Sequence, residues 1–245
     1  MPLDIDFVRR QFPAFAQTAM DGSAFFENAG GSFACRQVID RLHRFYTERK
    51  TQPYWYFEPS EKGGAEMDEA RARLAALMGV VPDQVSFGPS TSQNTYVLAQ
   101  ALRQTRRPGD AIIVTNQDHE ANSGVWRRLA EEGYELREWR MDPQTGHLNP
   151  QDLAAILDDK VRLVAFPHCS NVIGEINDVP TICQMVRAAG AISCVDGVSY
   201  APHGLPNFPE LGADIYLFSA YKVYGPHQGV MVMRPHVNDA LPNQG

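Results

Sequence analysis

The chain has 245 residues, 44% of them hydrophobic and 21% charged, enough apolar material for one buried core or two small ones. Twenty-two basic against 29 acidic residues leave a net charge of −7 with no basic run, unlike a protein held on nucleic acid through phosphates. No stretch approaches the ~20 apolar residues of a membrane helix, and charges throughout Met1–Phe15 exclude the apolar block of a signal peptide. The four cysteines, Cys35, Cys169, Cys183 and Cys194, show no CxxC spacing. They read as reduced thiols of a cytoplasmic protein, not as a disulfide frame or zinc site.

The first 60 residues are irregular in pattern and read as an N-terminal extension or lid. They contain one amphipathic helix over about 37–48 and the aromatic run Tyr54-Trp55-Tyr56-Phe57. That run either lines an entrance to a site or packs under the N-terminal helix, and packing is favoured. From Glu66 to Met78 the residues Met67, Ala70, Leu74, Leu77 and Met78 share one helical face. A short strand over 84–87 follows, and Ser90-Thr91-Ser92 opens a helix to about Gln104. The run Ala111–Thr115 is continuously apolar, as in a strand buried on both faces. A helix over 121–132 then leads to a strand over 134–139. A turn at 142–146 and a helix over 150–157 precede the strand 161–166. The helix 180–189 stops at Gly190, and strands are expected at 191–195, 215–218 and 230–233. Strand alternating with helix at this spacing predicts an α/β fold with a mostly parallel, doubly wound sheet and helices on both faces. Residues 61–245 form one large domain in this reading.

In such sheets ligands bind beyond the C-terminal ends of the strands. Five loops there carry polar residues. They hold Ser90, Thr91 and Ser92; Asp118, His119, Glu120 and Asn122; His168, Ser170 and Asn171; Asp196, Ser199 and His203; and Ser219, Tyr221 and Lys222. A single lysine after an apolar strand is ordinarily a surface residue. Here an aspartate stands 26 positions earlier, also at a strand end. Pyridoxal phosphate chemistry needs this pair. A lysine amine forms a Schiff base with the cofactor, so it needs a pocket that lets it deprotonate. A carboxylate keeps the pyridine nitrogen protonated so that the ring absorbs charge. Hydroxyl groups at a helix N-terminus suit the phosphate, and Ser90-Thr91-Ser92 supplies them. His119 is available to cover the ring face. Asp196 as a helix cap and His119 as a surface loop residue are the competing readings. A metal site from His119, His168, Asp196 and His203 lacks ligand spacing.

The string Ser219-Ala220-Tyr221-Lys222-Val223-Tyr224-Gly225-Pro226-His227 resembles the lysine motif of the class V aminotransferases, which include the cysteine desulfurases. Asp196-Gly197, Asp118-His119-Glu120-Ala121-Asn122, Ser170-Asn171-Val172-Ile173-Gly174 and Phe26-Glu27-Asn28-Ala29-Gly30-Gly31 extend the likeness in the family's order. The resemblance implies the large domain of fold type I pyridoxal-phosphate enzymes, an amino-acid substrate and a homodimeric assembly. It makes Lys222 the Schiff-base lysine and proton shuttle, Asp196 the partner of the pyridine nitrogen and His119 the stacking group. Asn171 would touch the phenolic oxygen, and Thr91, Ser92 and Ser219 would hold the phosphate. Asn28, Ala29 and Gly30 match the segment that approaches the substrate.

The sequence departs from the desulfurase pattern at three points. Ser199 stands where a glutamine reaches the phenolic oxygen, so that contact is lost or made through water. Tyr221 stands where a histidine helps to bind phosphate; its hydroxyl donates but carries no charge. The chain also ends 23 residues after Lys222, before the small C-terminal domain that supplies a substrate-binding arginine in the family. That points to a truncated chain. The alternative to an enzyme is accordingly a non-catalytic domain of the same fold that binds the cofactor or a partner chain. Desulfuration, transamination, elimination and racemisation all stay open. His168, His203 and His227 read as structural groups, and Cys169 as a buried strand-end thiol.

Overall fold

The computed structural model describes residues 2–105 and 107–242. Its strands are β1 (Val85–Gly88), β2 (Ala111–Thr115), β3 (Glu135–Trp139), β4 (Val161–Pro167), β5 (Ile192–Asp196), β6 (Ile215–Ser219) and β7 (Gly229–Met233). The helices of the sheet region are α3 (Glu58–Met78), α4 (Thr91–Gln104), α5 (Glu120–Arg128), α6 (Pro150–Ile156), α7 (Val179–Ala188), α8 (Phe208–Leu211) and α9 (Pro235–Ala240). Ahead of them lie α1 (Ile5–Arg10) and α2 (Arg36–Arg44).

The apolar runs arise because two separate cores cover the two faces of the sheet. Ile112 and Val114 of β2, Leu163 and Ala165 of β4, Cys194 of β5 and Ile215 and Leu217 of β6 pack with α4 and α5. Their alternate neighbours Ile113, Val164, Phe166, Val195, Tyr216 and Phe218 pack with α3, α6, α7 and α8. A period of two thus sends successive side chains into different cores. Among these strands only the edge strands β1 and β3 carry a fully exposed residue, Phe87 and Glu135.

The strand order is β1-β7-β6-β5-β4-β2-β3. Pairs β2/β3, β2/β4, β4/β5 and β5/β6 are parallel, as expected, whereas β7 runs antiparallel to both β6 and β1. The reason is the link from β6 to β7. It contains a single 3₁₀ turn, Ala220–Lys222, and no helix to carry the chain back across the sheet. The chain therefore reverses at once, and Lys222 rides on the reversal.

The N-terminal region is more ordered than its pattern suggests. The expected helix over 37–48 is α2 continued by a π-turn over Phe45–Arg49. α3 begins at Glu58, ahead of the expected Glu66, with proline and two glutamates in its first turn. Gly63 and Gly64 weaken a helix by propensity, yet Gly64 is needed here. A Cβ on it would stand 2.6 Å from the Tyr54 ring. Tyr54, held at φ 64°, donates its hydroxyl to Asp68 at 2.8 Å. The aromatic run consequently does not pack under the helix as favoured. The Tyr54 ring lies against Gly64 of α3, yet all four side chains stay exposed, from 44% at Phe57 to 86% at Tyr56.

Gly229 joins the sheet to the start of α4. A Cβ there would lie 2.4 Å from the Ser90 carbonyl carbon and 2.7 Å from the Thr91 nitrogen. Both contacts are backbone, so β7 or the helix start must shift. Gly229→Ala is expected to cost ~1–3 kcal/mol, read as a lower urea midpoint at unchanged slope.

Candidate active site

The parallel strands β4, β5 and β6 end on one edge of the sheet, and α4 and α5 start there. Asp196 closes β5 and Ser219 closes β6, both in phase with residues packed toward α4 and α5. A cleft with about 480 Å³ of atom-free space lies at this edge. Thr91, Ser92, Asp118, His119, Asn171, Asp196, Ser199, Ser219, Tyr221 and Lys222 line it. These residues come from segments up to 131 positions apart in the chain, from Thr91 to Lys222.

Lys222 is buried, and among the described residues its ammonium makes no hydrogen bond or ion pair. Desolvation lowers its pKa, while the nearby Asp196 charge opposes that shift. Asp196 is itself buried, and its Oδ1 accepts the Val198 N–H at 2.8 Å. Burial pushes its carboxyl up, against the Val198 hydrogen bond and the attraction of His119 and Lys222.

Asp118 is a second acid in the cleft, present in the sequence motif but given no role there. Burial, and then the Asp196 charge, push its carboxyl well above the usual range. It is held by the His119 N–H at 2.8 Å and by Asn122 Nδ2 at 2.7 Å. Asn122 Oδ1 in turn accepts the Trp126 indole N–H at 3.1 Å and the Cys194 thiol at 3.5 Å. A fully hydrogen-bonded polar chain thus runs from the α5 core to the cleft. Its signal in sequence was Asp118 and Asn122 at i and i+4 on either side of His119.

Ser90 caps α4 by accepting the Gln93 N–H at 3.1 Å. The first N–H groups of the helix lack intrahelical partners, and the dipole favours an anion there. Thr91 Oγ1 and Ser219 Oγ share a 2.7 Å hydrogen bond beside them. Tyr221 adds a hydroxyl, its ring stacked on His227 at 4.8 Å. His119 caps α5, with Nδ1 accepting the Ala121 N–H at 3.0 Å. In a neutral ring that bond leaves the proton on Nε2.

A second cleft opens on the first and shares Cys169, Asn171, Ser199 and Lys222 with it. The N-terminal segment forms one wall through Asn28, Ala29 and Ser32, facing His203 and Tyr224. Gly30, grouped with Asn28 and Ala29 in the sequence, does not line it; a Cβ there would meet the Glu27 carboxylate at 3.0 Å. Ser32, which the sequence reading did not single out, and His203, read there as a structural group, both line this cleft. Cys169 is buried between the clefts, and burial pushes its thiol up, which keeps it protonated.

Residues 24–244 match the family described as aminotransferase class-V, and the chain belongs to that family. It is 38% identical over 230 residues to the aminotransferase-like protein FGM3 of Gibberella zeae, covering 91% of this chain and 56% of that one. It is 32% identical over 237 residues to a probable cysteine desulfurase of Pseudomonas aeruginosa, covering 95% of this chain and 59% of the other. The apo structure of a cysteine desulfurase from Thermococcus onnurineus superimposes with a TM-score of 0.88 over the whole chain and 60% of its own length, at 24% identity. The fold is that of the fold type I large domain seen in the cysteine desulfurases. The chain spans a little over half the length of these curated relatives. Among the described residues no helix is long and apolar enough to cross a membrane.

His168 lies behind the site and serves the structure. Its ring stacks on Tyr200 with centroids 3.5 Å apart, and Nδ1 lies 3.0 Å from the Tyr216 hydroxyl. Burial lowers its pKa from 6.5 to about 4. Between those values the unfolded chain binds a proton that the folded chain refuses, so stability rises with pH across this window. The contribution is complete above the unfolded value and is lost as pH falls through about 6.5 toward 4. Measured by urea unfolding, His168→Gln is expected to flatten that slope relative to the unsubstituted protein.

Proposed function

We propose that this protein is a pyridoxal-phosphate-dependent enzyme of the class V type acting on an amino-acid substrate. The observation that carries the reading is Lys222, a buried amine without a hydrogen-bond or ion-pair partner among the described residues, sharing a cleft with the buried Asp196 carboxylate. The chemistry of the donor set fits the cofactor. When bound, it supplies a covalent attachment for amines and a ring that absorbs negative charge. Desolvation favours the neutral amine that Lys222 needs in order to attach, and the same amine can take and return a proton at the substrate α-carbon. Asp196 would hold a proton at the ring nitrogen. His119 would lie against the ring face. The N–H groups of Thr91 and Ser92, with the hydroxyls of Thr91, Ser219 and Tyr221, would receive the phosphate. Asn171 and Ser199 would stand by the phenolic oxygen. Asn28 and Ala29 would meet the substrate, with residues 61–245 as the cofactor-binding unit and 1–60 as the substrate-side segment.

The test is covalent trapping. Incubation with pyridoxal phosphate and borohydride should add one reduced cofactor at Lys222, located by peptide mass spectrometry, and Lys222→Ala should abolish it. An unmodified Lys222 at saturating cofactor would sink the proposal. Asp196→Ala is expected to keep the trapped adduct but lower turnover of amino acids by at least ~10²-fold, since the ring loses its proton partner. Trapping without turnover in the unsubstituted chain would favour a cofactor-binding domain over an enzyme.

Self-association as a homodimer belongs to the same proposal. Phe26, Tyr56 and Val172 are more than 80% exposed, which supports burial against another surface. Light scattering should then report a mass twice that of one chain; a monomer at high concentration would argue against it.

A further inference from the structure

Lys222 sits within a turn that the rest of its own strand connection does not hold alone. Inside the turn, Val223 N–H and Gly225 N–H both reach the Ala220 carbonyl, at 3.0 and 2.9 Å. That leaves the Tyr221 carbonyl and the Tyr224 N–H, the groups flanking Lys222, to find partners elsewhere. Both find Ser32. Its hydroxyl donates to the Tyr221 carbonyl at 2.9 Å and accepts the Tyr224 N–H at 2.9 Å. Its backbone N–H donates to the same Tyr221 carbonyl at 3.1 Å. The brace spans 189 residues of sequence.

The backbone it braces is strained. Tyr224 has φ 68°, a left-handed conformation that a non-glycine residue holds only when its surroundings impose it. Phe12 packs edge-on against the Tyr224 ring with centroids 5.3 Å apart, a second contact from the N-terminal segment. Gly31 lets that segment come close, since a Cβ there would lie 3.2 Å from the Tyr221 ring. Ser32 also lines the substrate-side cleft, next to Asn28 and Ala29 and across from Lys222 and Tyr224.

We propose that Ser32 is a positioning residue for Lys222: its hydroxyl ties both sides of the lysine turn to the segment that forms the substrate wall. The inference rests on the cofactor reading above. With Ser32 in place, the amine is presented at one angle and height to the cofactor cleft. Without the hydroxyl, the Tyr224 N–H and one bond to the Tyr221 carbonyl are lost, and the strained turn is free to relax. The amine then spends less time within reach of a carbonyl carbon.

The experiment measures the rate of covalent attachment of pyridoxal phosphate to Lys222, by borohydride quench and mass spectrometry, in four proteins. They are the unsubstituted chain, Ser32→Ala, Ser32→Val and Ser32→Thr. Threonine and valine have nearly the same shape, so they separate the hydroxyl from packing. Ala and Val are expected to slow attachment about tenfold, the worth of roughly one hydrogen bond, and Thr to stay within about twofold of the unsubstituted rate. Hydrogen exchange of the cofactor-free protein should show the Tyr224 amide protected with Ser or Thr and unprotected with Ala or Val. Equal attachment rates in all four proteins overturn the inference while leaving the cofactor reading standing. So does a Thr variant as slow as Val, which would assign the effect to packing. Apolar variants that do not fold would assign the hydroxyl to folding and overturn it likewise. If the unsubstituted chain gives no adduct, the cofactor reading falls and takes this inference with it.

Discussion

An amine and two carboxylates share one cleft at the edge of this sheet, and their desolvation is the constraint to which the surrounding structure answers. Lys222 and Asp196 are buried, and each shifts toward its neutral form. Burial of that kind opposes folding unless neighbouring charges, dipoles and hydrogen bonds offset it. The offsets are visible. Asp196 takes the Val198 N–H, Asp118 takes two hydrogen bonds, and α4 and α5 both aim their N-terminal ends at the cleft. In the cofactor reading proposed above, the Lys222 amine, the Asp196 carboxyl and the N-terminal end of α4 are the groups that the bound molecule would meet.

The double-sided core makes this arrangement possible. Because α4 and α5 pack on the same face as Cys194, Leu217 and Ala165, the residues in phase with that face emerge between two helix N-termini. Asp196 follows Cys194 by two positions, and Ser219 follows Leu217 by two. A slip of one residue in either strand would send the acid or the hydroxyl into the opposite core. The register that buries the apolar residues therefore also aims the chemistry. The short return from β6 to β7 adds the third element: with no helix in the connection, the lysine is carried on a tight turn directly over the strand ends.

Much of this was legible from local pattern. Strands β2, β4 and β6 are apolar at all but one position each, a pattern that survives without knowledge of neighbours. The helix start at Ser90 announced itself through its run of hydroxyls, and the helix expected from 121 begins one residue earlier, at Glu120. The reversed β7 did not, because its direction depends on which strands it pairs with and on the length of the link before it. The early start of α3 was also hidden. Its glycines weaken the helix on paper, while the gain at Gly64, a seat for Tyr54, comes from a residue outside the helix. Gly30 read as one of a row with Asn28 and Ala29, yet the turn that contains it faces it toward Glu27 instead.

By itself, the sequence determined the fold class, the family order of its motifs and the candidate residues: a lysine and an aspartate at strand ends, hydroxyls at a helix start and a histidine in a loop. Each depends on residue type and on periods of two or 3.6, which are local properties of the chain. Only the tertiary structure decided how these groups are held. The pairing of Asp118 with Asp196 in one cleft depends on where β5 and α5 meet, and the brace from Ser32 to both sides of Lys222 depends on a contact across 189 residues. Hydrogen bonds of that separation leave no periodic trace in sequence, because only the folded backbone brings their partners within 3 Å.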